Sequence, residues 1–236
     1  MFQSALVFHI FAGSFAIITF WGTFLSTKGS KVHRAIGKWF FVTMLIVALS
    51  VGPLLFLKPG NFDPAYIVQF TYLALCVFTV VTLGWTAIRW KNDLARFRGL
   101  HFRILGPVIF VLGLVVLAAG IASGNPVTAI LSWVGLVYGT AMMRFAWMRG
   151  PVQPKWWLGW HLNAVSGLFN AAHGTFLFVA WRSLTQGTDD PWISVWFQVL
   201  TLVGTVAIRL WFGARFGVPL RFATASAPGV LTASIR

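Results

Sequence analysis

Seven stretches of mostly apolar residues, each about 20 or more long, run through this chain and constrain its fold more than any other feature. A helix needs roughly 20 such residues to cross the hydrocarbon core of a bilayer. The stretches fall at about 3–26, 33–57, 64–90, 101–122, 126–148, 157–182 and 191–214. Of all residues 58% are hydrophobic and only 9% charged, with a mean hydropathy of +0.81. A soluble domain carries charge on about a quarter of its residues. The expected fold is therefore all-α, an integral membrane bundle of seven transmembrane helices. It forms a single domain over 1–216, followed by a loose cytoplasmic tail over 217–236 that is rich in Ala, Ser and Pro. The first stretch lacks the basic leading region and the small-residue cleavage site of a signal peptide, and reads as a retained span.

The charge balance fixes an orientation. There are 18 Lys and Arg against four Asp and no Glu, a net charge of +14. Such an excess commonly marks nucleic-acid binding, but here the basic residues sit in the connections between apolar runs. Lys28, Lys31, Arg34 and Lys38 mark the first connection, and Arg89, Lys91, Arg96, Arg98 and Arg103 the third. Arg144, Arg149 and Lys155 mark the fifth, and Arg209, Arg215, Arg221 and Arg236 close the chain. Only Lys58 and Arg182 lie on the other side, so 16 of the 18 share one face. By the positive-inside rule the N-terminus is outside and the C-terminus cytoplasmic, which points to a bacterial inner membrane and away from nucleic acid. The lack of carboxylates argues against paired-carboxylate hydrolysis and all-oxygen Mg or Ca sites. The single Cys76 excludes an internal disulfide framework.

Helix starts recur in the sequence. Asp63-Pro64, Asn125-Pro126 and Asp190-Pro191 open the third, fifth and seventh spans. An Asx N-cap followed by proline is a helix-start signal, because proline lacks the N–H that would be orphaned there. These Asx residues are expected to be structural. The second, fourth and sixth spans each carry a histidine at or near their inner start, at His33, His101 and His161. The result is a weakly repeated helical hairpin of roughly 60–68 residues, of a kind that frames central sites in membrane proteins.

Polar side chains in hydrocarbon face protein or water. At 100° per residue, Asn163, Ser166, Asn170 and His173 share one side of the sixth span. Ser194, Gln198, Thr201, Thr205 and Arg209 do so on the seventh, and Gln69, Tyr72, Cys76, Thr79 and Thr86 on the third. On the fourth span Gly106, Gly113 and Gly120 recur every seven residues, a groove for close helix approach or for a flat ligand. The stripes fit two readings: hydrogen bonds between helices, or a polar or cofactor-filled interior lined by Asn163, Ser166, Asn170, Gln198, Thr201 and Arg209.

The five histidines are the residues best equipped for chemistry inside the membrane. His9 lies about eight residues in from the outer start of the first span, and His173 about nine from the outer end of the sixth. Their depths match, so they are expected to face each other. Imidazole on facing helices, with small residues and aromatics beside it, is the requirement for bis-histidine haem b, and copper is the alternative metal. Gly13, Gly174, 23 Phe and 13 Trp supply the surroundings. His33, His101 and His161 lie near the inner surface, where they suit a second haem (His101/His161 or His33) or contacts with lipid headgroups. His161 and His173 are twelve residues apart, about 18 Å, and about 120° apart around the helix. No P-loop, dinucleotide fingerprint, HExxH or C-x-x-C-H is present, and the seventh span has no lysine for a retinal Schiff base.

Phe8-His9-Ile10-Phe11-Ala12-Gly13, then Lys28-Gly29, then His33-Arg34-Ala35-Ile36-Gly37-Lys38, form a recognisable pattern. With Ala87-Ile88-Arg89 and His101-Phe102-Arg103, it resembles a bacterial family of predicted multi-pass membrane proteins of unknown function, over about residues 1–110. A looser similarity is to di-haem cytochrome b-type membrane reductases, which hold histidines at two depths. The function expected is a haem b protein of electron transfer, with a quinone or redox protein as partner. The alternatives are a non-catalytic subunit of a larger membrane complex or a lipid-binding protein, needing no cofactor, and a small-solute or metal transporter.

Overall fold

In a computed structural model of the protein, residues 1–60, 63–185, 190–218 and 220–222 are described. They form α1 (Phe2–Leu25), α2 (Lys31–Leu57), α3 (Pro64–Arg89), α4 (Leu94–Phe97), α5 (Leu100–Ala122), α6 (Pro126–Leu131), α7 (Trp133–Ala146), α8 (Trp156–Leu184) and α9 (Pro191–Phe216). Seven membrane-length apolar segments result, because α4 leads into α5 and α6 into α7. The architecture is all-helical, as the apolar runs predict.

The predicted caps form. The Asp63 carboxylate accepts from the N–H groups of Ala65 and Tyr66 at 3.0 and 3.2 Å, and Asn125 Oδ1 from Val127 and Thr128 at 3.1 Å each. Asp190 accepts from Trp192 at 2.9 Å. Each occupies donors that the first helical turn otherwise leaves without an acceptor in the chain.

Two features were not legible in the sequence. The fifth span is broken at Ser132, and a side chain from α3 breaks it. The Tyr72 hydroxyl accepts from the Gly135 N–H at 2.8 Å and donates to the Ser132 carbonyl at 2.8 Å. It takes the place of one backbone bond in the helical ladder, a recognised cause of kinks. The chain after α9 also turns back. Gly217, at φ 60°, ends the helix in the left-handed conformation that glycine adopts without cost. Val218 is buried, Gln153 N–H donates to Phe222 O, and the Phe222 ring stacks on Trp160 at 5.1 Å. Val218 and Phe222, which fall in the expected loose tail, are thus packed on the bundle, while 219 and 223–236 lie outside the described residues.

α8 runs through the middle of the bundle, against α1, α3 and α9. α5 lies along α6 and α7. The glycine stripe of α5 resolves in favour of close helix approach. A methyl group on Gly120 would lie 2.5 Å from the Ala129 N, and one on Gly113 3.2 Å from the Leu136 N. Backbone of the neighbouring helices fills the groove at Gly113 and Gly120.

Candidate functional site

The predicted polar stripes of the sixth and seventh spans meet as a ladder between α8 and α9. Arg209 Nε donates to Asn163 Oδ1, and Thr205 Oγ1 donates to Ser166 O at 2.8 Å. The Asn170 amide donates to Thr201 Oγ1 at 2.7 Å and to Gln198 O at 3.2 Å. Tyr138 of α7 donates to the Asn163 carbonyl, its ring lying against Gly167. Asn163, Ser166, Asn170, Gln198, Thr201 and Arg209 are thus brought together, but bonded to one another. Of the two readings of the stripes, this geometry is the interhelical one.

The histidines are spread through the bundle. His9 Nδ1 lies 2.7 Å from Ser50 Oγ on α2. His173 lies with Phe20, Trp21 and Phe169; the Trp21 indole N–H donates to its Nε2 at 3.0 Å. Trp21 is twelve residues from His9 along α1, about 18 Å. The expected facing pair, His9 and His173, is therefore not assembled. Matching depths counted from helix ends failed because α1 crosses α8 near its own C-terminal end, where Phe20 meets Phe169 at 5.4 Å.

Two further histidines, His33 and His161, each meet a backbone carbonyl of a neighbouring helix. His33 Nδ1 lies 3.2 Å from the Thr23 carbonyl of α1, and His161 Nδ1 3.1 Å from the Gly84 carbonyl of α3. Phe41 of α2 packs edge-on to His161 at 6.0 Å and fills the wedge between Gly84 and Ala164. His101 stands apart, beside Trp90 and Phe97.

These contacts fix the tautomers. A carbonyl oxygen can only accept, so a neutral imidazole whose Nδ1 meets one must carry its proton there. This holds for His33, His161 and His173, the last bonded to Phe169 O at 3.0 Å. For His9 the Ser50 hydroxyl spends its proton on Val47 O, so it accepts from Nδ1–H. Four histidines thus carry their lone pair on Nε2. On His9, His33 and His161 that nitrogen makes no hydrogen bond among the described residues, and of these His33 and His161 are held at Nδ1 by a backbone carbonyl. A ring held at Nδ1–H by a carbonyl and open at Nε2 is the arrangement of a metal-ligating histidine. Sequence reasoning named all five rings, but missed Ser50, Gly84 and Trp21 as their partners. Those contacts depend on helix crossing, which periodicity does not encode.

No group of three or more His, Cys, Asp or Glu side chains converges among the described residues. Compared with known proteins, the chain matches no family model, no curated protein and no solved structure.

Proposed function

We propose that this multi-pass membrane protein is a redox protein that holds haem b through Nε2 of His33 and His161 and passes electrons to or from a quinone or a redox protein. The observation that carries the reading is the shared tautomer, with Nδ1–H on a backbone carbonyl and Nε2 open on both rings. The helices bring His33 from α2 and His161 from α8 to the end of the bundle that bears most basic residues. Small residues, Gly84 and Ala164, lie beside His161, with the Phe41 ring packed between them. Bound haem supplies one-electron transfer. The chain's own part is to orient the two rings, to raise the basicity of Nε2 through the carbonyl bonds, and to exclude water with aromatic side chains. The reading places the protein in a bacterial inner membrane with its basic end cytoplasmic.

The test is haem content by the pyridine haemochrome assay on protein purified after expression with ample haem. His33→Ala and His161→Ala are expected to lose most of it. His9→Ala and His173→Ala are expected to retain it. Equal loss in all four, or none in the first two, overturns the ligand assignment.

A further inference from the structure

Outside the histidine pair, five buried nitrogens without a hydrogen-bond partner gather at one corner of the bundle: Trp90 Nε1, Arg98 Nε and Nη2, His101 Nε2 and Trp160 Nε1. Their residues form one cluster. The Trp90 and His101 rings are 5.6 Å apart, and Phe97 lies 6.1 Å from His101 and 6.2 Å from Trp160. The Arg98 guanidinium sits 4.5 Å over the Phe145 ring, which is 5.3 Å from Trp160, and its Nη1 donates to Met148 O at 3.3 Å. Trp160 is fully buried and floors the cluster, while Trp90, Arg98 and His101 are partly exposed at its rim.

A buried donor left without an acceptor is costly, and native proteins seldom gather four of them in one place. Two indole N–H groups and two guanidinium N–H groups can only donate. What the corner lacks is therefore an acceptor with several oxygens. Arg98 makes it cationic, and Arg96, 4.8 Å over the Trp90 ring, adds a second positive charge. The acid nearby, Asp93, is committed to capping α4 through the Arg96 N–H at 2.9 Å. The cluster lies where the apolar span α4–α5 begins, and the end of a span is where a headgroup would meet it.

We propose that this corner binds a phosphate group, whose oxygens accept from Arg98, Trp90 and His101 over the Trp160 floor. The inference is independent of the haem reading, since it shares no residue with His33 and His161. The source is either the headgroup of an anionic phospholipid or free phosphate.

The full chain, purified in neutral detergent, is titrated with short-chain phosphatidylglycerol, with inorganic phosphate and with phosphate-free diacylglycerol of the same chain length. Binding is read by native mass spectrometry and by the thermal midpoint. The expected result is binding of phosphatidylglycerol but not of diacylglycerol, weakened about tenfold by Arg98→Gln and by Trp90→Phe, which keeps the ring and removes the N–H. Exposed Arg144→Gln serves as the control and binds as the wild type does. Inorganic phosphate binding with the same variant dependence assigns the site to free phosphate; failure of phosphate to bind or compete assigns it to lipid. Binding of neither phosphate probe, equal binding of diacylglycerol, or variants that bind as tightly as the wild type overturns the proposal.

Discussion

A neutral imidazole inside a membrane has one proton and two nitrogens, and its neighbours decide which nitrogen keeps it. In this chain the neighbours are carbonyl oxygens of Thr23, Gly84 and Phe169 and the Ser50 hydroxyl, so His33, His161, His173 and His9 all carry it on Nδ1. The expected outcome is direct. In protein purified without cofactor and labelled with ¹⁵N-histidine, imidazole shifts at neutral pH should report protonated Nδ1 and bare Nε2 for these four residues. Protonated Nε2 at His33 or His161 would remove the basis for ligation there. The sequence located these rings by depth, since an ionisable group in an apolar span stands out. It did not locate their partners. Ser50 and Gly84 look like any small residue on an apolar helix, and only the crossings of α1 with α2 and of α3 with α8 bring them to a histidine.

At the scale of the helices, close backbone approach is what holds α5 against α7. A methyl group on Gly135 would lie 2.2 Å from the Ile109 carbonyl oxygen and 2.8 Å from the Tyr72 hydroxyl, whereas one on Gly13 meets nothing within 4 Å. Gly135→Ala is therefore expected to destabilise the protein by about 1–3 kcal/mol, the usual range for overpacking, and Gly13→Ala to leave it unchanged or slightly more stable. Thermal or denaturant unfolding in detergent measures both; equal effects would contradict the packing. The seven-residue glycine spacing on the fourth span was visible beforehand, but not which of its two uses applied. Spacing marks a flat surface, and only the position of Ala129 and Leu136 shows that another helix fills it. The same holds for Asn170 and Gln198. Their stripes were readable from period alone, while their bonding to each other depended on α8 and α9 being neighbours.

For the whole molecule, the apolar runs and Asx-Pro starts predicted the seven-span architecture almost to the residue, because length and capping are local properties. The kink at Ser132 and the packed stretch at Val218 and Phe222 escaped, since each is made by a distant partner, Tyr72 in one case and Trp160 in the other. Orientation is a property of the whole chain, and the distribution of its basic residues predicts it. Single-cysteine labelling tests it well, because the native Cys76 is buried at 1% exposure. In intact cells Lys58→Cys is expected to react with an impermeant maleimide and Lys91→Cys only after lysis. The reverse pattern would place the basic end outside.

On the proposed function, His33 and His161 hold a haem inside this bundle, and the reduced-minus-oxidised absorption spectrum of the purified protein, expressed with ample haem, tests this. A Soret band and a sharp α band of a six-coordinate, low-spin haem b are expected, both lost in His161→Ala. A wild-type spectrum without either band, from folded protein, would contradict it.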